Sequence, residues 1–203
     1  MNAHDYALLA QEAYSAKPDI GKADSASRAI VRQTAAGLCI AFPGTDNADC
    51  WGADFDIEPV PVAGVGEVHR GFLEAWRAIS VPVLAAIAAQ PVTLVGHSLG
   101  AAIALMAAMD MTISGKPPAA VYGFEPPRVS PNLGVRTLLA KVPVHLYKNG
   151  NDIVPDLPPD WNHAALLTQI GKPSLPFPNV RDHAIARVIA ALAPVVINSG
   201  VPA

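Results

Sequence analysis

Cysteine is scarce in this sequence, charge is sparse, and no block of one sign occurs. Two cysteines, Cys39 and Cys50, in 203 residues cannot make a disulfide framework or a cysteine zinc site. They leave one pair across a loop or two free thiols, and two free thiols in a cytoplasmic protein is the simpler expectation. Charged residues make up 15% of the chain against 51% hydrophobic, which excludes a disordered chain. Fourteen basic residues face 17 acidic ones, for a net charge of −3, and no four basic residues run together. The electrostatic footprint of a nucleic-acid binder is missing, so no nucleic-acid partner is expected. Met1–Tyr14 lacks a basic start followed by an apolar run, which reads as no signal peptide and a cytoplasmic chain, with export by another route left open.

One long stretch lacks Asp, Glu, Lys and Arg altogether: Ala78 to Met109, 32 residues. That length would span a membrane. Pro82 and Pro91 punctuate it, and Gly96, His97, Ser98 and Gly100 stand in its second half. The better parse is helix, strand, turn and helix, all buried. The uncharged C-terminal run Val188–Ala203 is likewise broken by Pro194. No repeat or low-complexity linker divides the chain, and 203 residues predict one domain over 1–203.

Ala7–Tyr14 reads as a short helix. Ser27–Gln33 and Leu38–Phe42 read as strands joined by a hairpin turn at Thr34–Gly37. Ala53 to Ile57 alternates apolar and acidic residues, the period of an extended segment. Gly71–Ala89 has helical spacing through Phe72, Ala75, Trp76 and Ile79. Val92–Val95 is a short apolar run, the pattern of a strand buried on both faces; Ala120–Phe124 and Val144–Tyr147 read as two more short apolar strands, and Leu166–Ile170 as a further candidate. Leu99–Met109 and Asp182–Leu192 complete the helices. Strand and helix alternate after position 70, which predicts an α/β fold with a mostly parallel sheet and right-handed crossovers. Ligands bind at the carboxyl ends of such strands, here Gly96, Phe124 and Asn149.

Gly96-His97-Ser98-Leu99-Gly100 lies between a buried strand and a helix, the setting in which G-x-S-x-G forms a nucleophile elbow. Such a turn exposes the serine oxygen above the sheet, and residues two before and two after approach closely enough that both are glycine. The alternative is an ordinary helix cap at Ser98. A serine nucleophile needs a base, and the base an orienting acid, in the chain order Ser, Asp or Glu, His. His163 and His183 are the downstream candidates for the base, with His145 read as buried and structural inside its strand. Asp152, Asp156 and Asp160 are the candidates for the acid. Asp152 follows a strand end directly, and His183 stands at the mouth of the last helix, the placement of a loop-borne base. His163 precedes a strand and reads as a satisfied structural histidine.

These residues belong to a larger pattern. Phe42-Pro43-Gly44-Thr45 is similar to F-R-G-[ST], Val68-His69-Arg70-Gly71-Phe72 to V-H-x-G-F, and Phe124 to Val129 to F-G-x-P-R-V. Asp152-Ile153-Val154-Pro155 with Leu157-Pro158-Pro159 is similar to D-x-V-P-x-L-P-P, and Asp182-His183 to a closing D-H. With the elbow, these six motifs in order resemble the class 3, fungal-lipase-like branch of the α/β-hydrolases. The resemblance implies the α/β-hydrolase fold: a mostly parallel central sheet with helices on both faces. It implies Ser98 as nucleophile, Asp152 as acid and His183 as base, and an oxyanion hole from the backbone N–H groups of Leu99 and Thr45. It implies hydrolysis of carboxylic esters of acylglycerols or phospholipids, on a lipid or small ester substrate and with transient contact at lipid interfaces. That chemistry calls for no metal and no cofactor. An acyltransferase or thioesterase with the same triad, or a silent lipid- or protein-binding relative, is the alternative.

Two departures stand out. Pro43 replaces an arginine, and Phe124-Glu125-Pro126 replaces F-G-x, which puts an acid near the site. In the family a lid follows the G-[ST] loop, here Asp46 to Pro59. Trp51, Phe55 and Ile57 would give it an apolar, acyl-facing side, and a short loop leading to an edge strand is the plainer expectation for the same residues.

Overall fold

The computed structural model describes residues 1–45, 58–88 and 90–194. Trp51, Phe55 and Ile57, the extended segment Ala53–Ile57, nearly all of the candidate lid and Cys50 lie outside the described residues. Cys39 is a buried free thiol.

A seven-stranded sheet runs in the order β1 (Ile20–Gly21), β2 (Arg28–Thr34), β3 (Gly37–Phe42), β6 (Val92–His97), β7 (Ala120–Phe124), β8 (Val144–Asn149), β9 (Leu167–Ile170). The first two pairings are antiparallel, the second of them the expected hairpin, and β3, β6, β7, β8 and β9 are all parallel. A separate hairpin of β4 (Pro59–Val62) and β5 (Gly66–His69) precedes the helices α2 (Arg70–Arg77) and α3 (Ser80–Ile87). The mostly parallel sheet follows from the apolar runs: all six residues of β6 are buried, as a strand covered on both faces requires.

Alternation along β3 feeds two cores. Leu38, Ile40 and Phe42 join Phe72, Trp76, Ile103 and Met106 on the face covered by α2, α3 and α4 (Leu99–Ile113). Cys39 and Ala41 face the other way, against Tyr6, Ala7 and Ala10 of α1 (Ala3–Ser15) and Val188 of α6 (Ile185–Leu192). A small fifth helix, α5 (Gly134–Leu138), stands between β7 and β8 in the chain. Helix α4 is buried almost all round, which its alanines permit by letting it sit close to the sheet. Asp110 on α4 accepts from the Trp76 indole at 3.1 Å. Among the described residues no helix is long and apolar enough to cross a membrane.

Four expectations need correction. The first helix begins at Ala3, not Ala7, because Asn2 and Asp5 form a capping box with bonds of 2.9 and 3.0 Å. Gly71–Ala89 is two helices rather than one. Pro82 has no N–H to give and sits in the first turn of α3, where none is needed, and the chain turns at Ala78–Ile79 to place it there. The last helix is also split: a 3₁₀ turn at Arg181–His183 precedes α6, and Ala184 between them is extended. The carbonyls of Asp182 and His183 accept from Asn149 Nδ2 and His97 Nε2 instead of from helical N–H groups. His145 is exposed rather than buried, and its ring stacks on Tyr122 with centroids 4.6 Å apart.

Candidate active site

Ser98 sits between β6 and α4 with φ +57° and ψ −128°. A non-glycine residue there stores about 1–3 kcal/mol of strain and needs surroundings that enforce it. One hydrogen bond and three close backbone approaches do so. The Ser98 N–H donates to Phe124 O at 2.9 Å. A Cβ at Gly96 would run into the backbone of Gly100, and one at Gly100 into the carbonyls of Phe42 and Pro43. A Cβ at Gly44 would meet Ser98 Cβ at 2.9 Å and His97 O at 3.0 Å, so the Phe42–Thr45 segment passes directly against the elbow. The amides of Leu99 and Gly100 open α4, where no preceding turn supplies an acceptor.

Asp152 and His183 come together from 31 residues apart: His183 Nδ1 and Asp152 Oδ2 are 2.6 Å apart, and both side chains are buried. A carboxylate only accepts, so Nδ1 carries the proton and Nε2 presents a lone pair. Asp152 Oδ1 accepts from Val154 N at 3.1 Å. Ser98 Oγ and His183 Nε2 are both buried and make no hydrogen bond among the described residues. The hydroxyl proton and the imidazole lone pair are therefore uncommitted.

The other candidates go elsewhere. Asp156 pairs with Lys148 at 2.6 Å. Asp160 is exposed with φ +64°. His163 Nε2 donates to Pro155 O at 2.8 Å, and burial pushes its ring down to about 4, so it stays neutral as a structural group. Thr45 lines a cleft of about 330 Å³ together with Tyr14, His97, Val180, His183 and Ile185. A larger cleft of about 650 Å³ lies at the opposite end of the sheet, beside Pro91 and Ala119, which precede β6 and β7, and its lining holds no histidine. The position of the first cleft beside His183 makes it the candidate site despite its size.

Four polar residues support this arrangement without having been singled out as site residues. His97 Nε2 donates to the His183 carbonyl at 2.8 Å, and Nδ1 accepts from the Tyr14 hydroxyl at 2.6 Å. Burial, and then the neighbouring His183, push the His97 ring well below its ordinary range, so it remains neutral. Asp182 is fully buried. Burial opposes its charge, but the Ser174 side chain, the N–H groups of Asn151 and Ser174 and the Asn179 amide hold it down at about 2. Glu125 is fully buried, and its Oε1 accepts from Asn149 N at 2.6 Å. It takes φ +50° at the position where the resembled pattern has glycine. His97, Glu125 and Asp182 stood inside recognised motifs, whereas Tyr14 carried no signal.

Among the described residues Glu125, Asp152 and His183 are the one group of such side chains whose polar atoms lie within 4.8 Å of one another. The 2.6 Å bond between Asp152 and His183 already joins two of the three side chains to each other. The group is built as a hydrogen-bonded cluster.

Comparison with known proteins identifies the family and the fold. Residues 39–161 match the family described as Lipase (class 3). A secreted mono- and diacylglycerol lipase A of Penicillium cyclopium is 30% identical over 144 residues, 66% of this chain and 47% of that protein. Phospholipase A1-II 7 of Oryza sativa subsp. indica is 30% identical over 168 residues, 60% of this chain and 41% of that protein. The chain thus spans about half the length, or less, of the curated relatives it matches. The native Rhizomucor miehei lipase propeptide complex shares the fold with a TM-score of 0.69 at 24% identity, covering 89% of this chain and 78% of that one. The cytoplasmic expectation is corrected by these relatives: the Penicillium protein is named a secreted lipase, so the composition of Met1–Tyr14 does not place this chain in the cytoplasm.

Proposed function

Because the chain belongs to the class 3 lipase family, we propose that it is a serine hydrolase that cleaves carboxylic esters of lipids, with Ser98, His183 and Asp152 as its triad. The observation that carries this reading is the buried 2.6 Å bond of Asp152 to His183 Nδ1, with Ser98 held in a strained turn at the head of α4. Ser98 Oγ attacks the ester carbonyl while His183 Nε2 takes its proton. Asp152 fixes the tautomer and stabilises the imidazolium. The backbone N–H groups of Leu99 and Thr45 receive the oxyanion, each such donor being worth about a hundred- to a thousandfold in rate. The tetrahedral intermediate collapses, the C–O bond breaks, and His183 returns the proton to the departing alcohol. Water then attacks the acyl-Ser98 carbonyl, giving a proton to His183; the acyl C–O bond breaks, His183 returns that proton to Ser98 Oγ, and the carboxylic acid leaves. We read residues 1–203 as one hydrolase domain, which the sheet running from Ile20 to Ile170 supports.

The relatives named above are a mono- and diacylglycerol lipase and a phospholipase A1. Glycerol esters of fatty acids are common to both names, and acylglycerols or phospholipids are the substrate class proposed here. The apolar side chains Val180 and Ile185 beside His183 suit an acyl chain. The test is hydrolysis of p-nitrophenyl esters from acetate to palmitate. We expect turnover that rises beyond acetate as the chain fills this lining. Absence of turnover across the whole series contradicts a hydrolase and favours a lipid-binding relative.

A further inference from the structure

The triad acid has a second carboxyl group beside it. Glu125 directly follows β7, and its side chain has no solvent exposure. The two carboxyls differ in what they accept. Asp152 accepts on both oxygens, from His183 Nδ1 at 2.6 Å and Val154 N at 3.1 Å. Glu125 accepts only on Oε1, from Asn149 N at 2.6 Å, and its buried Oε2 makes no other hydrogen bond among the described residues. An ionised Glu125 would leave Oε2 stripped of water and facing the like charge of Asp152, and both terms disfavour it. A protonated Glu125 has an O–H to give, and the Asp152 carboxylate, clustered with it so that polar atoms of the two lie within 4.8 Å, is the hydrogen-bonding partner beside it.

We propose that Glu125 is a positioning residue for this site: a neutral carboxylic acid whose O–H donates to Asp152 and holds that carboxylate in line with His183. The inference rests on the triad reading above. One proton is shared out in a fixed way. Asp152, with two N–H donors, keeps the negative charge, and Glu125, with one, keeps the proton. Burial raises Glu125 well above the usual carboxylate range. The Asp152 carboxylate adds to the rise, while the Asn149 N–H and the Lys148 ammonium oppose it. That ammonium is committed to Asp156 at 2.6 Å. Of the titratable groups nearby, His183 is already bonded to Asp152, Asp182 has its oxygens taken by Asn151, Ser174, Asn179 and Arg187, and Tyr147, whose carbonyl accepts from Glu125 N at 2.9 Å, is held neutral by burial. Glu125 holds this place on a left-handed backbone, φ +50°, which a non-glycine residue adopts at a cost.

The test compares wild type, Glu125→Gln and Glu125→Ala. Glutamine reproduces the neutral acid, one oxygen to accept from Asn149 and an N–H to donate to Asp152. Glu125→Gln therefore keeps the wild-type kcat and the acid limb of its kcat/KM profile. Glu125→Ala loses about a hundredfold in kcat with KM little changed, as a slightly misplaced catalytic group does.

Melting temperature against pH gives a readout that does not need activity. The folded protein holds the Glu125 proton, and the unfolded chain releases it above about pH 4.3. Wild-type stability therefore falls as pH rises through the weakly acidic range, and that of Glu125→Gln does not share this fall. The melting temperature of the glutamine variant minus that of wild type is expected to grow from pH 5 to pH 8. A difference that is flat or shrinks with pH overturns the proposal. So does an acid limb displaced to lower pH in Glu125→Gln, which would mean a negative charge had been removed beside His183. Should wild type hydrolyse no ester, the triad reading fails, while the melting series still decides where the proton lies.

Discussion

Replacing Ser98 with alanine is expected to lower kcat on p-nitrophenyl butyrate by on the order of a million-fold, the loss seen when a serine triad is deprived of its nucleophile. The oxyanion donors survive the change, so a residual rate above that of water is expected. Folding should not suffer. The Ser98 hydroxyl is buried and makes no hydrogen bond among the described residues. A buried, unpaired polar group of this kind costs about 1–3 kcal/mol. Ser98→Ala is therefore expected to melt no lower than wild type, measured by thermal unfolding beside the rate. An active site that stores instability at its nucleophile behaves this way, while a structural cap at the head of α4 would lose stability on the same change. The pair of measurements separates the two roles of Ser98 without an assumption about substrate.

Asp152→Asn should cost about ten-thousand-fold in kcat while leaving the fold intact. Asparagine fits the same space, but its amide can turn an N–H toward His183. Nδ1 then becomes the acceptor, the ring proton moves to Nε2, and the atom facing Ser98 loses its lone pair. His97 already fixes the backbone of His183 through the 2.8 Å bond to its carbonyl, so the ring stays in place and the loss is one of tautomer rather than position. Steady-state rates across pH, with circular dichroism to confirm folding, check this. A decrease of less than tenfold would mean that Asp152 only packs against the ring.

The sheet was legible because its signal is local. Val92–Val95 and Ala120–Phe124 are short apolar runs between turn residues, and both are strands of the parallel sheet, the first of them buried on both faces. The elbow was legible for the same reason: strand, glycine, serine, glycine and helix follow one another in the chain. The meeting of Asp152 and His183 was read from chain order and motif, and the structure brings them to 2.6 Å. What stayed hidden depends on contacts distant in sequence. Gly71–Ala89 keeps helical spacing throughout, yet Pro82 sets a second start and the helix divides. The last helix divides at Ala184 because Asn149 and His97, from other strands, take the carbonyls it would need. Tyr14 reaches His97 across 83 residues, and no spacing rule relates them. Glu125 was visible as an odd residue in a motif, but the proton it needs is apparent only once Asp152, Asn149 and the burial of Oε2 are seen together.

The central claim is that Ser98 is a nucleophile activated by His183. A long-chain alkyl fluorophosphonate tests it most directly, because phosphorus mimics the ester carbonyl: the Ser98 Oγ–P bond forms, the P–F bond breaks, and fluoride leaves. Intact-protein and peptide mass spectrometry should show one adduct per chain, on Ser98, absent from Ser98→Ala and strongly slowed in Asp152→Asn. An unmodified protein, or an adduct on another residue that persists in Ser98→Ala, would contradict the account.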